Sequence, residues 1–483
     1  MSPAVLRERR IVLGVSGSIA AYKSVDLASK LTQMGALVDT IMTDAAQQFV
    51  TPLAFQSVTG RPVYTNMWRA ESSGGLPTHI AHVGLGESAD ALVIAPATAN
   101  TIAKLAAGLA DDLLSVTALA SRAPLLIAPA MDGGMYMHDA VQTNLRVLTE
   151  RGVWIVEPET GRFASGLVGK GRLPETPALI GHIRRLLGRA GPLAGRKVVV
   201  TAGGTREPID PVRYVSNRSS GKQGYALAQA ALDAGADVTL ISTADLPVPS
   251  GAALVAVSTA QQMLDAVLEH APATDVLVMA AAVADYRPRI VQAEKIKKPG
   301  GTSGLTLDME QTQDILMEIR RLREVRHTPK VVIGFAAESQ DLIANARSKL
   351  ARKGLDLIVA NDITAGDAGF AVDTNRVTLL SADGDIHPLA LMSKSEVADE
   401  IIAWAAHRLS TARLGRMLLA YVALAWLAGI WAASQFSALT TTFWLLICAG
   451  GVLAGWINRH VRDWRLLFAL VAVMALGGRA YVA

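Results

Sequence analysis

Short apolar runs alternate with longer segments of helical periodicity through the first half of the chain. The runs Arg10 to Gly14, Val38 to Met42, Ala91 to Ile94 and Leu125 to Ala128 have the length and apolar content of buried parallel strands. Between the first two, Ala20 to Met34 has the pattern of a helix. The first half is therefore predicted to be an α/β domain in which helices cover a parallel sheet.

The second half repeats this alternation. Five further apolar runs are predicted to be strands: Lys197 to Thr201, Asp237 to Ser242, Val276 to Ala280, Val331 to Phe335 and Leu357 to Ala360. The predicted fold class is thus α/β, with two tandem Rossmann-like three-layer domains. We expect the first domain at residues 1–188, a linker at 189–195 and the second domain at 196–410.

From residue 411 the chain becomes apolar. The stretches Leu414 to Ala433, Thr441 to Ile457 and Leu466 to Leu476 predict a C-terminal hydrophobic helical hairpin or three-helix segment over 411–483. Arginines precede the first stretch and follow the second, so a transmembrane hairpin would leave the other domains in the cytoplasm, tethered to the inner face of the cell membrane. A buried helical hairpin in a soluble oligomer is the alternative.

Charge and cysteine content narrow the classes of function. The formal net charge is +4, and no basic block with interleaved aromatic residues is present, so nucleic acid is not an expected partner. Cys448 is the single cysteine, which excludes a disulfide framework or a cysteine-based metal site within one chain. The apolar run after the first basic residues is only as long as a strand, and no signal peptide is expected.

A glycine-dense polar loop, Thr201 to Gly224, lies where a predicted strand meets a predicted helix. In an open α/β sheet this is the carboxyl edge, where ligands bind. The loop contains four cationic side chains, namely Arg206, Arg213, Arg218 and Lys222. Glycines allow backbone amides to approach a phosphate closely, so the loop predicts a site for a phosphorylated anion. A solvated loop whose glycines only make turns is the alternative, and the glycine spacing is not that of a Walker P-loop.

Three loops at strand ends in the first half are predicted to surround a flat cofactor. They contain small residues, hydroxyls and an amide, and they lack the G-x-G-x-x-G pattern, which disfavours NAD. Packing glycines in ordinary turns are the alternative for the first loop. The candidate cofactor-binding residues are Gly14, Ser16, Gly17, Ser18, Thr43, Pro96, Ala97, Thr98, Asn100 and Met131.

Other candidates are a histidine and a glycine-rich segment. His82 is predicted in a turn next to the cofactor edge, where a neutral imidazole can act as a base near pH 7, although a surface or capping role is the commoner one. Gly161 to Arg172 contains four glycines and is predicted to be a mobile flap over the site, or else a plain connecting loop.

In the second half, a carboxylate and several lysines follow strand ends. Asp285 could hold Mg²⁺ or a sugar hydroxyl, or it could cap a helix. Lys295 begins a lysine run that could neutralise a triphosphate or form a solvated surface. Lys349 and Lys353 are four residues apart, so they should share one helix face.

Most of these motifs together resemble those of one family. Over about the first 408 residues the chain resembles the bifunctional phosphopantothenoylcysteine decarboxylase / phosphopantothenate cysteine ligase of bacterial coenzyme A synthesis. The matching segments are Gly14 to Lys23, Ala95 to Asn100, Pro129 to Met131, Thr201 to Gly224, Ala281 to Tyr286, Glu294 to Lys298 and Gly334 to Glu338.

For the second half, the resemblance implies a ligase that uses CTP and Mg²⁺. It would convert 4′-phosphopantothenate to an acyl-cytidylate, which the amine of cysteine then attacks. The resemblance assigns Asn217 to the acyl-cytidylate, Asp285 to the metal, and Arg206, Arg213 and Lys222 to the substrate phosphate. The residues implied to bind the nucleotide are Ala281, Asp285, Lys295, Asp314, Ile315, Phe335, Lys349 and Lys353. The residues themselves do not distinguish CTP from ATP.

For the first half, the resemblance implies FMN-dependent decarboxylation of 4′-phosphopantothenoylcysteine to 4′-phosphopantetheine, with His82 as a catalytic residue. Two catalytic positions depart from the family pattern. Asp132 replaces an asparagine that would bind the substrate carboxylate, and Ser165 replaces the flap cysteine that serves some members as the final acid. The membrane segment is also outside the family's usual plan, and homo-oligomerisation is expected because related flavoproteins often bind FMN at subunit contacts.

Two rival interpretations remain open from the sequence. One is a ligase whose decarboxylase half is impaired by the changes at Asp132 and Ser165. The other is a membrane-anchored flavin or nucleotide sensor without turnover.

Overall fold

A computed structural model of the chain describes residues 5–68, 80–297, 305–338, 341–362 and 373–411. The chain divides into two compact units, 1–403 and 404–483, and only residues 404–411 of the second are described. The predicted membrane segment therefore lies, apart from its first residue, outside the described residues. Within the described ranges, no helix combines the length and the apolar character that a bilayer crossing requires.

The first half of unit one is built on six parallel strands in the order β3-β2-β1-β4-β5-β6. The strands of this half are β1 (Arg10–Val15), β2 (Leu37–Met42), β3 (Val63–Tyr64), β4 (Ala91–Ala97), β5 (Leu125–Pro129) and β6 (Trp154–Ile155), followed by an antiparallel pair, β7 (Glu159–Arg162) and β8 (Val168–Arg172). Its helices are α1 (Ala21–Gln33), α2 (Pro52–Thr59), α3 (Ala81–Ser88), α4 (Ala99–Ala107), α5 (Leu113–Ala120), α6 (Gly133–Tyr136), α7 (Asp139–Glu150) and α8 (Thr176–Gly188), with a 3₁₀ turn at Ala46–Gln48.

The second half contains an eight-stranded sheet in the order β13-β12-β9-β14-β17-β18-β20-β21. Its strands and those of the small pairs beside it are β9 (Lys197–Ala202), β10 (Arg206–Pro208), β11 (Tyr214–Ser216), β12 (Asp237–Ser242), β13 (Ala253–Ala256), β14 (Val276–Met279), β15 (Tyr286–Pro288), β16 (Met309–Gln311), β17 (Val331–Glu338), β18 (Leu357–Asp362), β19 (Thr374–Asn375), β20 (Val377–Ser381), β21 (Ile386–Pro388) and β22 (Met392–Ser393). The helices are α9 (Lys222–Asp233), α10 (Ala260–His270), α11 (Ile315–Arg326) and α12 (Leu342–Lys353), with a 3₁₀ turn at Ala271–Ala273, and residues 394–411 are helical.

Burial explains why the apolar runs form central strands. Every residue of β4 is buried, as are five of the six in β1 and in β9. Strands covered by helices on both faces lose both apolar surfaces from water, which gives continuous apolar runs instead of alternation. The parallel registers then align the carboxyl ends of β1, β2, β4 and β5 at one edge of the first sheet.

The α/β class and the predicted strands are confirmed, with ends that differ by a few residues. Three predictions need correction. His82 lies in the first turn of α3 and not in a turn between elements. The segment Gly161 to Arg172 falls within a β-hairpin, β7–β8, rather than a plain loop. The second sheet is mixed, because β20 pairs antiparallel with β18 and β21 antiparallel with β20.

The two halves are packed against each other through α8 and α9. Arg184 of α8 forms a bidentate ion pair with Asp233 at the end of α9, and its Nε lies 3.1 Å from the carboxylate. Gly188 lies so close to the same residue that an added Cβ would be 2.3 Å from the Asp233 carbonyl oxygen. The predicted linker at 189–195 therefore begins in close backbone contact with the second half.

Candidate functional site

Ser16 holds together the first two loops at the carboxyl edge of the first sheet. Its hydroxyl donates to the carbonyl of Pro96 at 2.8 Å and accepts from the N–H of Thr98 at 3.0 Å. The side chain is buried, so it organises the edge internally. This differs from the expectation that the Ser16 hydroxyl faces an anion. Its neighbours Gly17 and Ser18, just before α1, leave the amide donors of this turn at the edge.

The other cofactor candidates follow the neighbouring strand ends. Thr43 follows β2, and its N–H donates to the carbonyl of Val15 at 3.1 Å. Thr98 caps α4, in which Asn100 is an exposed residue of the first turn. Gly17 is required by close packing, because an added Cβ would lie 2.4 Å from the Cβ of Ala45. The structure thus brings the predicted loops to one edge.

Asp132 and Ser165, the two departures from the family pattern, are hydrogen-bonded to each other. The Ser165 hydroxyl donates to Oδ2 of Asp132 at 2.8 Å, and Oδ1 of Asp132 accepts from the N–H of Gly134 at 3.1 Å. Next to them, the N–H of Met131 donates to the carbonyl of Gly171 at 3.0 Å. The β7–β8 hairpin is therefore attached to the end of β5 through both a backbone and a side-chain contact.

His82 is half-buried in the first turn of α3. Helix α3 precedes β4, and in a parallel α/β sheet the start of such a helix is expected near the carboxyl edge of the strands. His82 is therefore expected on the same side of the sheet as the cofactor loops.

The second sheet has a cavity of about 510 Å³ at the carboxyl ends of its central strands. Glycine allows two of the cavity loops to meet. The N–H of Ala282 donates to the carbonyl of Gly203 at 2.8 Å, and an added Cβ on Gly204 would lie 2.5 Å from the carbonyl oxygen of Asn217. Most of the predicted nucleotide and catalytic residues line this cavity, namely Asn217, Lys222, Ala281, Asp285, Asp314, Ile315, Phe335, Lys349 and Lys353.

Two of the cavity side chains are held by backbone carbonyls. The Asn217 amide donates to the carbonyl of Val283 at 3.0 Å, which fixes the orientation of the amide. The Lys349 ammonium donates to the carbonyl of Phe335 at 2.8 Å. Both side chains therefore lie against a neighbouring strand end, and the cavity is shaped before a ligand binds.

Lys353 pairs with a carboxylate at the start of α11. Its ammonium lies 2.9 Å from Asp314, which also accepts from the N–H of Met317 at 3.3 Å and so caps that helix. Lys349 and Lys353 both line the cavity, as their spacing predicts for a shared helix face.

Three predicted phosphate-binding cations do not line the cavity, namely Arg206, Arg213 and Lys295. The Arg213 guanidinium donates to the Asp210 carboxylate at 2.8 Å and to the carbonyl of Ile296 at 3.1 Å. Burial alone would raise the pKa of Asp210, but backbone N–H donors and the charge of Arg213 outweigh it and lower that pKa. Arg213 thus links its own loop to residue 296. Arg206 stacks on the Tyr214 ring, 5.5 Å from its centre, and Lys295 is exposed.

The polar cavity residues that the sequence interpretation did not single out include Gln223, Asn361, Asn375 and Lys394. Asn361 and Asn375 are more than nine-tenths buried, and the side-chain oxygens of both, like that of Gln223, have no hydrogen-bond partner in the described parts of the chain. An unpaired buried amide costs about 1–3 kcal/mol, so these three oxygens are available acceptors for a ligand or a water in the cavity. Asn361 ends a predicted strand and could have been suspected on that ground.

The polar groups at the edge of the first sheet and in the cavity of the second half fit the implied cofactors, FMN and Mg²⁺. The first edge presents a turn before α1 and a threonine cap before α4, and helix starts of this kind bind phosphate groups such as that of a flavin nucleotide. In the second half, Asp285 is an exposed carboxylate in the cavity, which suits Mg²⁺ held by one carboxylate and substrate phosphates. Among the residues that the structure describes, no cluster of three or more His, Cys, Asp or Glu side chains could hold a metal alone.

Comparisons with protein families match both halves. Residues 2–188 match the family described as Flavoprotein, and residues 193–409 match the DNA/pantothenate metabolism flavoprotein C-terminal domain. The flavoprotein character predicted for the first half is thereby confirmed.

Among solved structures, the chain resembles a crystal structure of the C-terminal domain of a coenzyme A biosynthesis bifunctional protein CoaBC, at 38% identity over 46% of this chain and 100% of that one, with a TM-score of 0.39. It also resembles a cysteine-to-serine mutant of PPC decarboxylase complexed with pantothenoylaminoethenethiol, at 33% identity over 37% of this chain and 97% of that one, with a TM-score of 0.33.

Similar proteins extend over both halves. The coenzyme A biosynthesis bifunctional protein CoaBC of Bacillus subtilis (strain 168) is 46% identical over 402 residues, which are 82% of this chain and 97% of that protein. The protein of the same name from Vibrio cholerae is 44% identical over 400 residues, 82% of this chain and 98% of that protein. The chain therefore belongs to the family of bifunctional coenzyme A biosynthesis proteins, enzymes that join a phosphopantothenoylcysteine decarboxylase to a phosphopantothenate cysteine ligase.

Proposed function

We propose that the two halves act in sequence, and that the ligase reaction takes place in the cavity of the second sheet. The ligase joins 4′-phosphopantothenate to cysteine with consumption of CTP, and the flavoprotein half decarboxylates the product to 4′-phosphopantetheine. The observation that supports this most directly is the single cavity of about 510 Å³ lined by Asn217, Asp285, Lys349 and Lys353. It combines an oriented amide, a carboxylate for Mg²⁺ and two cations for a nucleotide.

In the first ligase step, the substrate carboxylate attacks the α-phosphorus of CTP and pyrophosphate leaves. Asn217 is the proposed residue that acts on the acyl-cytidylate, and the hydrogen bond from its amide to the carbonyl of Val283 supports this by fixing the orientation of the amide. The amine of cysteine then attacks the acyl carbon and CMP leaves. Developing negative charge on the acyl oxygen is best stabilised by a donor that is already oriented, and an amide held on the carbonyl of Val283 is such a donor.

Lys349 and Lys353 form the nucleotide end of the cavity, beside Phe335 and Asp314. Each ammonium has a partner in this structure, the carbonyl of Phe335 and the carboxylate of Asp314. A nucleotide phosphate or base oxygen would replace or extend these contacts, and charge-assisted hydrogen bonds of this type are among the stronger ones. Mg²⁺ would be held by Asp285 together with the phosphates of CTP.

In the flavoprotein half, the turn at Gly17 and Ser18, together with the start of α4, would hold FMN, which supplies two-electron redox chemistry when bound. The half-buried imidazole of His82 is the proposed base near the substrate. The N–H of Met131 donates to the carbonyl of Gly171 and so attaches the β7–β8 hairpin beside this edge, where the hairpin would reduce the access of water to a bound substrate.

The hydrogen bond between Asp132 and Ser165 limits what the β7–β8 hairpin can contribute to decarboxylation. With Asp132 ionised, the serine hydroxyl donates its proton toward that carboxylate and away from the substrate. An ionised Asp132 would also repel the substrate carboxylate that an amide would bind. We therefore expect Asp132→Asn to raise kcat/KM for decarboxylation by about tenfold, the size of one charge-assisted contact.

The test of the decarboxylase half is mass spectrometry of the product made from phosphopantothenoylcysteine. Release of CO₂ with 4′-phosphopantetheine as product supports full turnover. Accumulation of the oxidised enethiol would favour the alternative in which this half is impaired at its last step, and Ser165→Cys should then restore the reduced product.

The overall proposal is tested with 4′-phosphopantothenate, CTP and cysteine supplied together. We expect His82→Asn to stop the reaction at phosphopantothenoylcysteine and Asn217→Asp to stop it before the amide bond forms, with each variant retaining the other activity. The proposal fails if pyrophosphate release does not require all three substrates. Replacing CTP by ATP in the same assay decides which nucleotide is used.

Membrane attachment and self-association remain proposals from the sequence and the surface. The apolar stretches after residue 411 favour a membrane tether, and release of the protein from membranes without detergent would contradict it. Large apolar side chains are exposed near the flavin edge, including Ile19 and Tyr22, and these favour a homo-oligomer, which mass photometry would detect.

A further inference from the structure

The start of α9 brings two lysines into the cavity from different parts of the chain. Lys222 is the first residue of α9, and Lys394 follows β22. Gln223 connects them, because its side-chain amide donates to the carbonyl of Lys394 at 3.1 Å. Both lysines line the cavity that contains the nucleotide candidates.

Lys394 is a buried cation whose backbone is held on two sides. Its residue is 7% exposed. Its N–H donates to the carbonyl of Asp373 at 3.0 Å, and its own carbonyl accepts from Gln223. Lys394 therefore contributes a buried cationic side chain to the wall of the cavity.

The charges around Lys394 favour an additional anion. Burial lowers the pKa of Lys394 and the nearby charge of Lys222 lowers it further, while Asp373 opposes both effects. Asp373 forms an ion pair with Lys222 at 2.7 Å, and that pair lowers the pKa of Asp373. The carboxylate belongs to the surface, because its side chain is 84% exposed. An anion in the cavity could therefore replace Asp373 as the partner of Lys222, and the Asp373 carboxylate would remain in water.

Lys222 belongs with the nucleotide residues rather than with the arginines. The resemblance groups it with Arg206 and Arg213 around the substrate phosphate, but the structure separates these cations. Arg213 is bound to Asp210 and to residue 296, and neither arginine lines the cavity. Lys222 lines it together with Lys349 and Lys353.

We propose that Lys394 and Lys222 form a subsite for the β- and γ-phosphates of the nucleotide, and that Asp373 holds Lys222 in an ion pair at the edge of this subsite when the phosphates are absent. The inference rests on the proposed function, because it assumes that CTP binds in this cavity. Lys394 is then a binding residue for the nucleotide and for the pyrophosphate that leaves. Asp373 competes with both, so its carboxylate weakens binding and assists release.

Isothermal titration of the full-length protein with inorganic pyrophosphate in the presence of Mg²⁺ tests the subsite directly. We expect Lys394→Met to weaken pyrophosphate binding at least tenfold and to raise the KM for CTP, with the KM for 4′-phosphopantothenate unchanged. Lys394→Arg, which keeps the charge, should remain within about threefold of the unchanged protein. Asp373→Asn should have the opposite effect and tighten pyrophosphate binding severalfold.

Two controls separate the subsite from folding and from general charge. Lys330→Met removes another lysine that pairs with an aspartate, Asp275, at the amino edge of the same sheet, and it should leave pyrophosphate binding unchanged. Decarboxylation of added phosphopantothenoylcysteine should be unaffected in Lys394→Met, which shows that the variant is folded.

The possible failures are distinguishable. If the unchanged protein neither binds pyrophosphate nor consumes CTP, the proposed ligase function fails. If it does both but Lys394→Met binds pyrophosphate normally, the subsite alone is refuted. A rise in the KM for 4′-phosphopantothenate instead of CTP would also refute it, because Lys394 would then face the other phosphate. Weaker pyrophosphate binding in Asp373→Asn would refute the proposal that the Asp373 carboxylate competes with the phosphates.

Discussion

Asp399, a residue of the last described helix, should make the stability of the protein depend on pH. It is a partly buried carboxyl close to Asp233, the partner of Arg184. Burial and the charge of Asp233 raise the pKa of Asp399 to about 6, Arg184 opposes this, and Glu396 and Glu400 add to it. We predict that Asp399→Asn stabilises the protein at neutral pH.

The magnitude follows from the difference between the folded and unfolded pKa values. A pKa of about 6 against an ordinary 3.8 corresponds to about 3 kcal/mol of unfavourable free energy for the ionised form. Because this carboxyl is only partly buried, solvent screening reduces the figure to about 1–2 kcal/mol. Well below pH 3.8 the group is protonated in both states and contributes no penalty. The penalty grows as the pH rises from 3.8 to about 6 and is nearly complete at pH 7.

The assay is thermal unfolding of the full-length protein and of Asp399→Asn at pH 4.5, 6 and 8, in the same buffer and detergent. For a chain of 483 residues we expect Tm to rise by about 1–2 °C at pH 8 and by about a third of that at pH 4.5. Asp26→Asn is the matched control, since it makes the same substitution at an exposed position of α1. A gain that does not vary with pH, or a lower Tm at pH 8, would refute the reasoning.

Three further predictions concern the loops at the two sheet edges. Gly17→Ala places a Cβ 2.4 Å from that of Ala45 and should lower the FMN content of the purified protein, measured by absorbance near 450 nm. Gly203 has a φ of +87°, and an added Cβ would lie 2.2 Å from Oγ1 of Thr243, so Gly203→Ala should lower ligase kcat/KM at least tenfold while decarboxylation stays unchanged. The lowered pKa of Asp210 means that its ion pair stabilises the protein above the unfolded pKa, so Asp210→Asn should lower Tm at pH 7 and much less near pH 3.

The central strands could be predicted from the sequence because they are covered on both faces. Runs such as Val276 to Ala280 are apolar throughout, and their observed ends differ by no more than a few residues. Ligand loops at their carboxyl ends follow from the rule for open α/β sheets, which is why Asp285 could be predicted at a strand edge, whereas the role of Asn217 was implied by the family resemblance alone. The short antiparallel pairs were missed, because strands of two or three residues such as β19 and β22 have no period to detect.

The other features of the site could not be predicted, because they depend on contacts between residues that are far apart in the sequence. Lys394 reaches the cavity through the β19–β22 pair, more than 170 residues after the phosphate loop, and no local spacing indicates this. Likewise, the sequence marks Asp132 and Ser165 as two separate departures, whereas the structure joins them in one hydrogen bond. Ser16 lies in the predicted loop, but its hydroxyl donates to the carbonyl of Pro96 at the end of β4 instead of facing a ligand.

The close packing of α8 against α9 affects how the two activities can be separated. Arg184 and Asp233 form a partly buried ion pair, and Gly181 packs so tightly that an added Cβ would lie 2.4 Å from the hydroxyl oxygen of Ser250. A gene divided between residues 188 and 193 would yield two separate polypeptides. Each would expose to solvent the charged surface that contacts the other half in the intact chain. Co-expressed fragments should consequently reassemble, whereas either fragment produced alone should be prone to precipitation.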